Sequence, residues 1–352
     1  MMAKPKKSKP VNIPYLDDEI PGYKGFRYNM RTANNLSFRD LEVVDPVCRI
    51  AMPKAGKFGV HFSENPMVPF ASYPPMSIEA FDKQPRYAQV TGYGVDKKTT
   101  MSYTVPCYAC KKLVRSNTTM NIVSYTDHIV QRARSKQNEV YQMGLRTDEK
   151  FKENYIISDI KCAAIVVHNA PDDNAAITTG SYSLCSCTER AGYHMDNVVT
   201  TGACSIAAMT NKHGACYHTR RAIALGANSV AYSSTPEGFA YVEKEHSVAI
   251  TKCVRSTAVA NGYGAVYLYG KENLGITRES AKVTGKESVV VMTEHHGSVI
   301  CRSGTLVIFQ MPDGEWQMLT CGCGTIEPYK CYTWRQLVRM IKPNIKFKKG
   351  TP

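Results

Sequence analysis

No stretch of this sequence approaches the roughly 20 uninterrupted apolar residues of a membrane-spanning helix. The opening MMAKPKKSKP also lacks the apolar core of a secretory signal. Neither membrane insertion nor export is expected. Tryptophan is scarce at 2 residues, and the 30 acidic residues are outnumbered by 44 basic ones, for a formal net charge of +14. The 13 cysteines in 352 residues are sparser than in a disulfide-stapled domain, and their number is odd, so they are expected to be reduced thiols of a cytoplasmic chain. From Asn174 onward strong helical periodicity is missing, and no helical architecture is expected there. What is present, 43% hydrophobic and 21% charged residues, is the composition of a folded protein long enough for two ordinary domains.

The second half is built from short Val/Ile/Ala triplets: Cys204-Ser-Ile-Ala207, Ser229-Val-Ala231, Ser247-Val-Ala249, Ala265-Val-Tyr267, Ser280-Ala-Lys-Val283 and Ser298-Val-Ile300 among them. Gly or small polar turns separate them, as in Asn261-Gly-Tyr-Gly264 and Thr284-Gly-Lys. Strands this short cannot hold a sheet alone, but stacking each on its equivalent in the next coil satisfies its backbone and buries small side chains in a narrow core. The pattern predicts a parallel β-solenoid (β-roll) of about eight or nine coils, each of roughly 14 to 18 residues, about 40 Å long. A β-sandwich of short strands is the alternative. After it, Thr305–Gln310 and Glu315–Thr320 flank Met311-Pro-Asp-Gly314, a hairpin signal, and Trp334–Ile341 reads as a short amphipathic helix. Both are expected to cap the last coil, whose backbone edges would otherwise be open.

The expected organisation is mainly β: a basic flexible tail (1–20), a compact α+β N-terminal domain (21–123), a helical linker (124–158), the β-solenoid (159–310, with Ile160–His168 its first strand), and a C-terminal β-hairpin and short helix cap with a basic tail (311–352).

The motifs Asp173-Asn-Ala-Ala-Ile-Thr-Thr-Gly-Ser-Tyr-Ser183, Thr200-Thr-Gly-Ala-Cys-Ser-Ile-Ala207, Glu245-His-Ser-Val-Ala249 and Ala258-Val-Ala-Asn-Gly-Tyr-Gly-Ala265 resemble two groups of repeats. One is the Asn-Ser-Val-Ala-x-Gly turns of trimeric adhesin heads. The closer one is a family of phage and prophage proteins with Thr-Gly-x-x-Ser-x-Ala repeats. That family opens with segments similar to Lys24-Gly-Phe-Arg-Tyr28, Gly59-Val-His-Phe-Ser-Glu-Asn-Pro66, Tyr73-Pro-Pro75 and Arg86-Tyr-Ala-Gln-Val90, here in the same order. The resemblance implies a non-enzymatic phage-encoded structural or binding protein, either virion-associated or directed at a host component. Its location would be the virion or the host cytoplasm, and its partner a capsid, tail or host protein. The adhesin-like repeat implies a homotrimer. No activity and no cofactor come with it.

Several residue sets invite sharper readings. His61 and Glu64 form an acid/base pair in sequence, and with Tyr23 they resemble the nucleotide-binding core of ADP-ribosyltransferases, which would make the N-terminal domain a transferase or a nucleotide-sequestering module. The strand expected to carry the catalytic carboxylate, Arg86–Thr91, has Gln89 and no Glu. Cys107 and Cys110 have zinc-ligand spacing, but neither Cys185-x-Cys187 nor Cys321-x-Cys323 is a second pair of that kind. Lys4, Lys6, Lys7 and Lys9 form a basic run that suits nucleic acid or simple solvation. His218, Arg220, Arg221, Tyr232, Tyr241, Tyr263, Tyr267 and Tyr269 would line a face for an anionic or flat ligand if they share one side of the solenoid.

Overall fold

The computed structural model describes residues 19–32, 36–40, 42–44, 60–76, 83–96, 107–116, 118–142, 155–157, 175–178, 184–189, 197–211 and 221–347. The expected first solenoid strand, Ile160–His168, lies outside the described residues.

The N-terminal part is an antiparallel sheet of β1 (Glu19–Phe26), β2 (Glu42–Val44), β3 (Val60–Phe62), β4 (Arg86–Asp96) and β5 (Tyr108–Arg115), in the order β1-β4-β5-β2 with β3 paired to β5. A short helix α1 (Pro69–Ser72) and the long helix α2 (Ile122–Gln142) accompany it. One face of the sheet closes a small core around Phe26, Phe38, Phe62 and Leu113. A Cβ at Gly92 would run into the Phe62 ring, and one at Gly22 would meet the Ser63 carbonyl oxygen at 2.6 Å with Phe62 beside it, so neither position has room for a side chain.

The second half is a parallel β-solenoid. One sheet contains β6 (Tyr155–Ile157), β7 (Ala175–Thr178), β9 (Asn197–Thr200), β11 (Arg221–Ala224), β13 (Phe239–Val242), β15 (Thr257–Ala260), β17 (Leu274–Thr277), β19 (Val289–Met292) and β21 (Leu306–Gln310). The other contains β8 (Leu184–Glu189), β10 (Ile206–Asn211), β12 (Val230–Ser234), β14 (Val248–Thr251), β16 (Ala265–Leu268), β18 (Ser280–Val283) and β20 (Ser298–Ile300). Register partners stand at Ala175, Asn197, Arg221, Phe239, Thr257, Leu274, Val289 and Leu306, giving coils of 22, 24, 18, 18, 17, 15 and 17 residues. The regular coils match the expected length. Fewer than the expected eight or nine fit between 174 and 310, because the first two are longer.

The recurrent Ser-Val-Ala has a structural meaning in three parts. Ser205, Ser229 and Ser247 sit at one corner, where the amide of Ser205 donates to Ser229 Oγ and that of Ser229 to Ser247 Oγ, both at 3.1 Å. The preceding residues Cys204, Asn228 and His246 all turn the corner with positive φ. The apolar residue that follows (Ile206, Val230, Val248) faces away from the solenoid interior, and the alanine after it (Ala207, Ala231, Ala249) fills that interior. The interior is narrow, so alanine is its commonest residue, with larger ones such as Met292 and Phe309 toward the capped end. The opposite corner repeats the device: Ser256 N donates to Asn273 Oδ1 at 2.8 Å, and Asn273 N to Ser288 Oγ at 3.3 Å.

Both sheets end in an antiparallel strand. β22 (Trp316–Thr320) folds back on β21, and β23 (Cys331–Thr333) pairs with β20. Helix α3 (Trp334–Ile341) then closes the core with Trp334, Leu337 and Val338. Thr333 and Gln336 form a capping box at its start, and the Trp334 indole donates to Gln310 O at 2.8 Å. The hairpin and helix cap the solenoid where the sequence places them.

Candidate functional site

The two broad faces of the solenoid have different fates. In the sheet of β8 to β20 the outward positions of the middle strands are covered. β14 and β16 are buried at all four residues, because their outer sides pack under the N-terminal domain. Tyr23, Phe70, Tyr87, Tyr125 and Ile129 share one core with Ile206, Val230, Ile250 and Tyr267. Segment 124–158, expected as a linker, contributes most of α2, whose first turns form part of this cover. Tyr125 stacks on Tyr87 with centroids 4.6 Å apart and donates to Pro66 O at 2.7 Å. Asp127 accepts from Tyr232 Oη at 2.6 Å and from Lys252 Nζ at 2.7 Å, joining helix to solenoid. Met76 N donates to His246 O at 3.2 Å, a backbone link between the two parts.

On the opposite sheet, strands alternate between buried inward and half-buried outward residues throughout β9, β11, β13, β15, β17, β19 and β21. The outward side chains stack in register. Ile223, Tyr241, Val259, Ile276, Val291 and Ile308 form one row, which Met318 of β22 continues at 61% exposure. Beside it run Phe239, Thr257, Leu274, Val289 and Leu306, with Arg221 at one end. The Phe239 and Tyr241 rings lie parallel, 6.3 Å apart. Each side chain shields the flanks of its neighbours and leaves its tip open, so the result is a flat apolar stripe rather than scattered exposed residues. Its borders carry both signs: Arg255 pairs with Glu237 at 2.9 Å on one, and Arg278 with Glu294 at 2.7 Å on the other.

The residues singled out from sequence are spread over several places. His61 and Glu64 lie at and just beyond β3, near Tyr23 through the Tyr23–Ser63 bridge, but each is engaged separately. Glu64 is exposed and accepts from Tyr108 Oη at 2.7 Å; burial, that bond and the carboxylate charge push the Tyr108 phenol up to about 12. The Tyr23 hydroxyl accepts from Arg132. His61 contributes its backbone carbonyl, which accepts from Lys24 Nζ. Cys107 and Cys110 are buried thiols outside any disulfide, Cys110 donating to Val60 O at 3.2 Å. Among the described residues no group of three or more His, Cys, Asp or Glu is placed to hold a metal ion. Tyr232 and Tyr267 are 4% exposed beneath the N-terminal domain, whereas Tyr263 is 57% exposed at a corner beside His296. The expected aromatic face is therefore divided, and among its described residues only Tyr241 and Arg221 belong to the stripe. His218, Arg220, Lys4, Lys6, Lys7 and Lys9 lie outside the described residues.

Two features were not legible as sites. Lys24 is buried at 8% exposure beside Cys107 and Cys110, and burial pulls its ammonium down from 10.5 to about 8 against the opposing pull of the two thiols. The stripe reads in sequence as ordinary strand alternation; only the register of neighbouring coils turns it into a continuous surface. No described helix is long and apolar enough to cross a membrane. Comparison of the chain with family models, curated proteins and solved structures finds no match in any of the three.

Proposed function

We propose that this chain is a non-enzymatic structural or binding protein whose working surface is the uncovered stripe of the solenoid. The observation that carries this reading is the in-register run from Ile223 to Ile308 on a sheet that nothing described covers, whereas the middle strands of its counterpart lie under the N-terminal domain. A rigid parallel stack holds its outward side chains at fixed spacing, so it presents a preformed surface and binds with little loss of conformational freedom. The likeness of its repeats and N-terminal segments to phage and prophage proteins supports a phage-encoded protein, mounted on the virion or acting on a host component.

The test is site-specific photo-crosslinking in producing cells, with a benzophenone amino acid at Ile276 or Val291 and, as the off-stripe control, at Tyr263. Protein adducts at the two stripe positions and none at Tyr263 are expected. Equal labelling at all three positions, or none at any, refutes the stripe as a binding surface. Mass spectrometry of purified particles then assigns the setting: stoichiometric copies mean a virion role, and absence means an intracellular one.

A further inference from the structure

We infer that the stripe pairs with the same stripe of a second copy, so that the protein is a two-fold dimer joined face to face through the sheet of β9 to β22. This rests on the reading of the stripe as a binding surface and names its partner.

Size is the first argument. The face runs over eight hydrogen-bonded strands, from β9 to β22. At about 4.8 Å per strand, with two outward columns about 7 Å apart and their side-chain margins, it measures about 39 Å by about 14 Å, or about 550 Å². Two copies cover about 1,100 Å² together, above the about 1,000 Å² that a specific interface needs.

Geometry is the second. Row residues such as Val259, Ile276 and Val291 repeat at one rung spacing, and another copy offers the same rows at the same spacing over the same length. Two such faces pack as aligned sheets do, about 10 Å apart with rows interdigitating. The axis passes between β15 and β17, the middle of the eight strands, so that Ile276 meets the axis region from both copies.

Charge is the third. The chain carries +14, which opposes association, but over β9 to β22 the outward rows hold one charge, Arg221 of β11, which a two-fold axis between β15 and β17 sets against the uncharged β21 of the mate, and both borders mix signs. No wall of like charge faces its mate in either alignment.

Symmetry is the fourth. A self-complementary patch used by both partners generates a two-fold dimer, whereas a three-fold assembly needs each copy to offer two different surfaces. Among the described residues the solenoid offers one broad face uncovered along its length, the middle of the other lying under the N-terminal domain. This departs from the trimer expected from the adhesin-like repeats.

The experiment is sedimentation velocity on the full chain over a hundredfold concentration range. The expected species has twice the 39.1 kDa monomer mass. Ile276→Lys and Val291→Lys, whose side chains point outward, should weaken the dimer at least 100-fold with the circular dichroism spectrum unchanged; Tyr263→Lys should leave it intact. Ile276→Cys gives a second readout, a disulfide-linked dimer under mild oxidation beyond any seen for the natural chain. A mass of three chains, a monomer at every concentration, or a dimer indifferent to both lysine variants overturns the inference. A monomer whose Ile276 photo-adduct is a different protein overturns self-pairing while leaving the stripe a binding surface. A monomer with no adduct removes both.

Discussion

Lys24 gives the sharpest numerical test of the N-terminal domain. Its ammonium is buried at 8% exposure, donates to the His61 carbonyl, and lies 5.8 Å from the centre of the Phe38 ring. Burial still dominates and lowers its pKa from 10.5 to about 8. Below about pH 8 both folded and unfolded chains hold the proton, and the cost of burying the charge applies in full. Between pH 8 and 10.5 the folded protein has released the proton while the unfolded chain retains it, so stability rises with pH across that window. At about 1.36 kcal/mol per pH unit the whole effect is about 3 kcal/mol, of which about 2 kcal/mol is recovered between pH 7 and 9.5. Replacement by methionine keeps the length of the side chain and removes the titration. Urea unfolding of the wild type and Lys24→Met at pH 7, 8, 9 and 9.5, followed by circular dichroism, should therefore show the wild type gaining about 2 kcal/mol relative to the variant as pH rises. Parallel stability curves for the two proteins would refute the argument, since they would mean that Lys24 keeps an ordinary affinity for its proton when folded.

Three further outcomes test other parts of the structure. Asp127→Asn weakens the acceptor shared by Tyr232 and Lys252, and should loosen α2 from the solenoid by about 1 to 2 kcal/mol, seen as faster hydrogen exchange over residues 122–130 with the capped end unchanged. Gly285→Ala drives a Cβ onto the carbonyl oxygen of Gly270 in the rung below, and should cost about 3 kcal/mol in denaturant; Gly304→Ala, with open space around it and φ of +84°, should cost about 1 kcal/mol. Trp334→Ala empties the largest fully buried side chain of the cap, and should cost about 3 to 5 kcal/mol and expose the solenoid end, read as a lower thermal midpoint and increased dye binding.

Local chemistry made the solenoid, the hairpin and the last helix readable from the amino acids. The Trp334–Ile341 helix begins at a Thr-x-x-Gln capping box, and the hairpin turns on Pro-Asp-Gly; neither signal needs distant residues. The repeated Ser-Val-Ala announces short stacked strands because each letter has one fixed task, at the corner, on the outside or in the interior. Coil count was misjudged because spacing in the first two coils departs from the later rhythm, and a repeat counted by its period is lost where the period changes. Candidate sites fared differently. His61, Glu64 and Tyr23 are close in the fold, but sequence could not tell that Tyr108 and Arg132 would engage two of them. Tyr232 and Tyr241 look alike as strand tyrosines, yet one is buried under α2 and the other is half-exposed on the opposite sheet.

The sequence alone determined that residues from about 174 to 310 stack as short strands with small residues inside, since that pattern of turns and alanines satisfies backbone and volume in no other way as simply. Only the tertiary structure decided which outer face is covered. Outward Val and Ile residues occur on both sheets, and their alternation is the same until Tyr125, Asp127 and Phe70 settle on one of them. That choice depends on contacts between residues more than 100 positions apart, such as Asp127 with Tyr232, which no local pattern encodes. It leaves the run through Val259, Ile276 and Val291 as the stripe open to a partner.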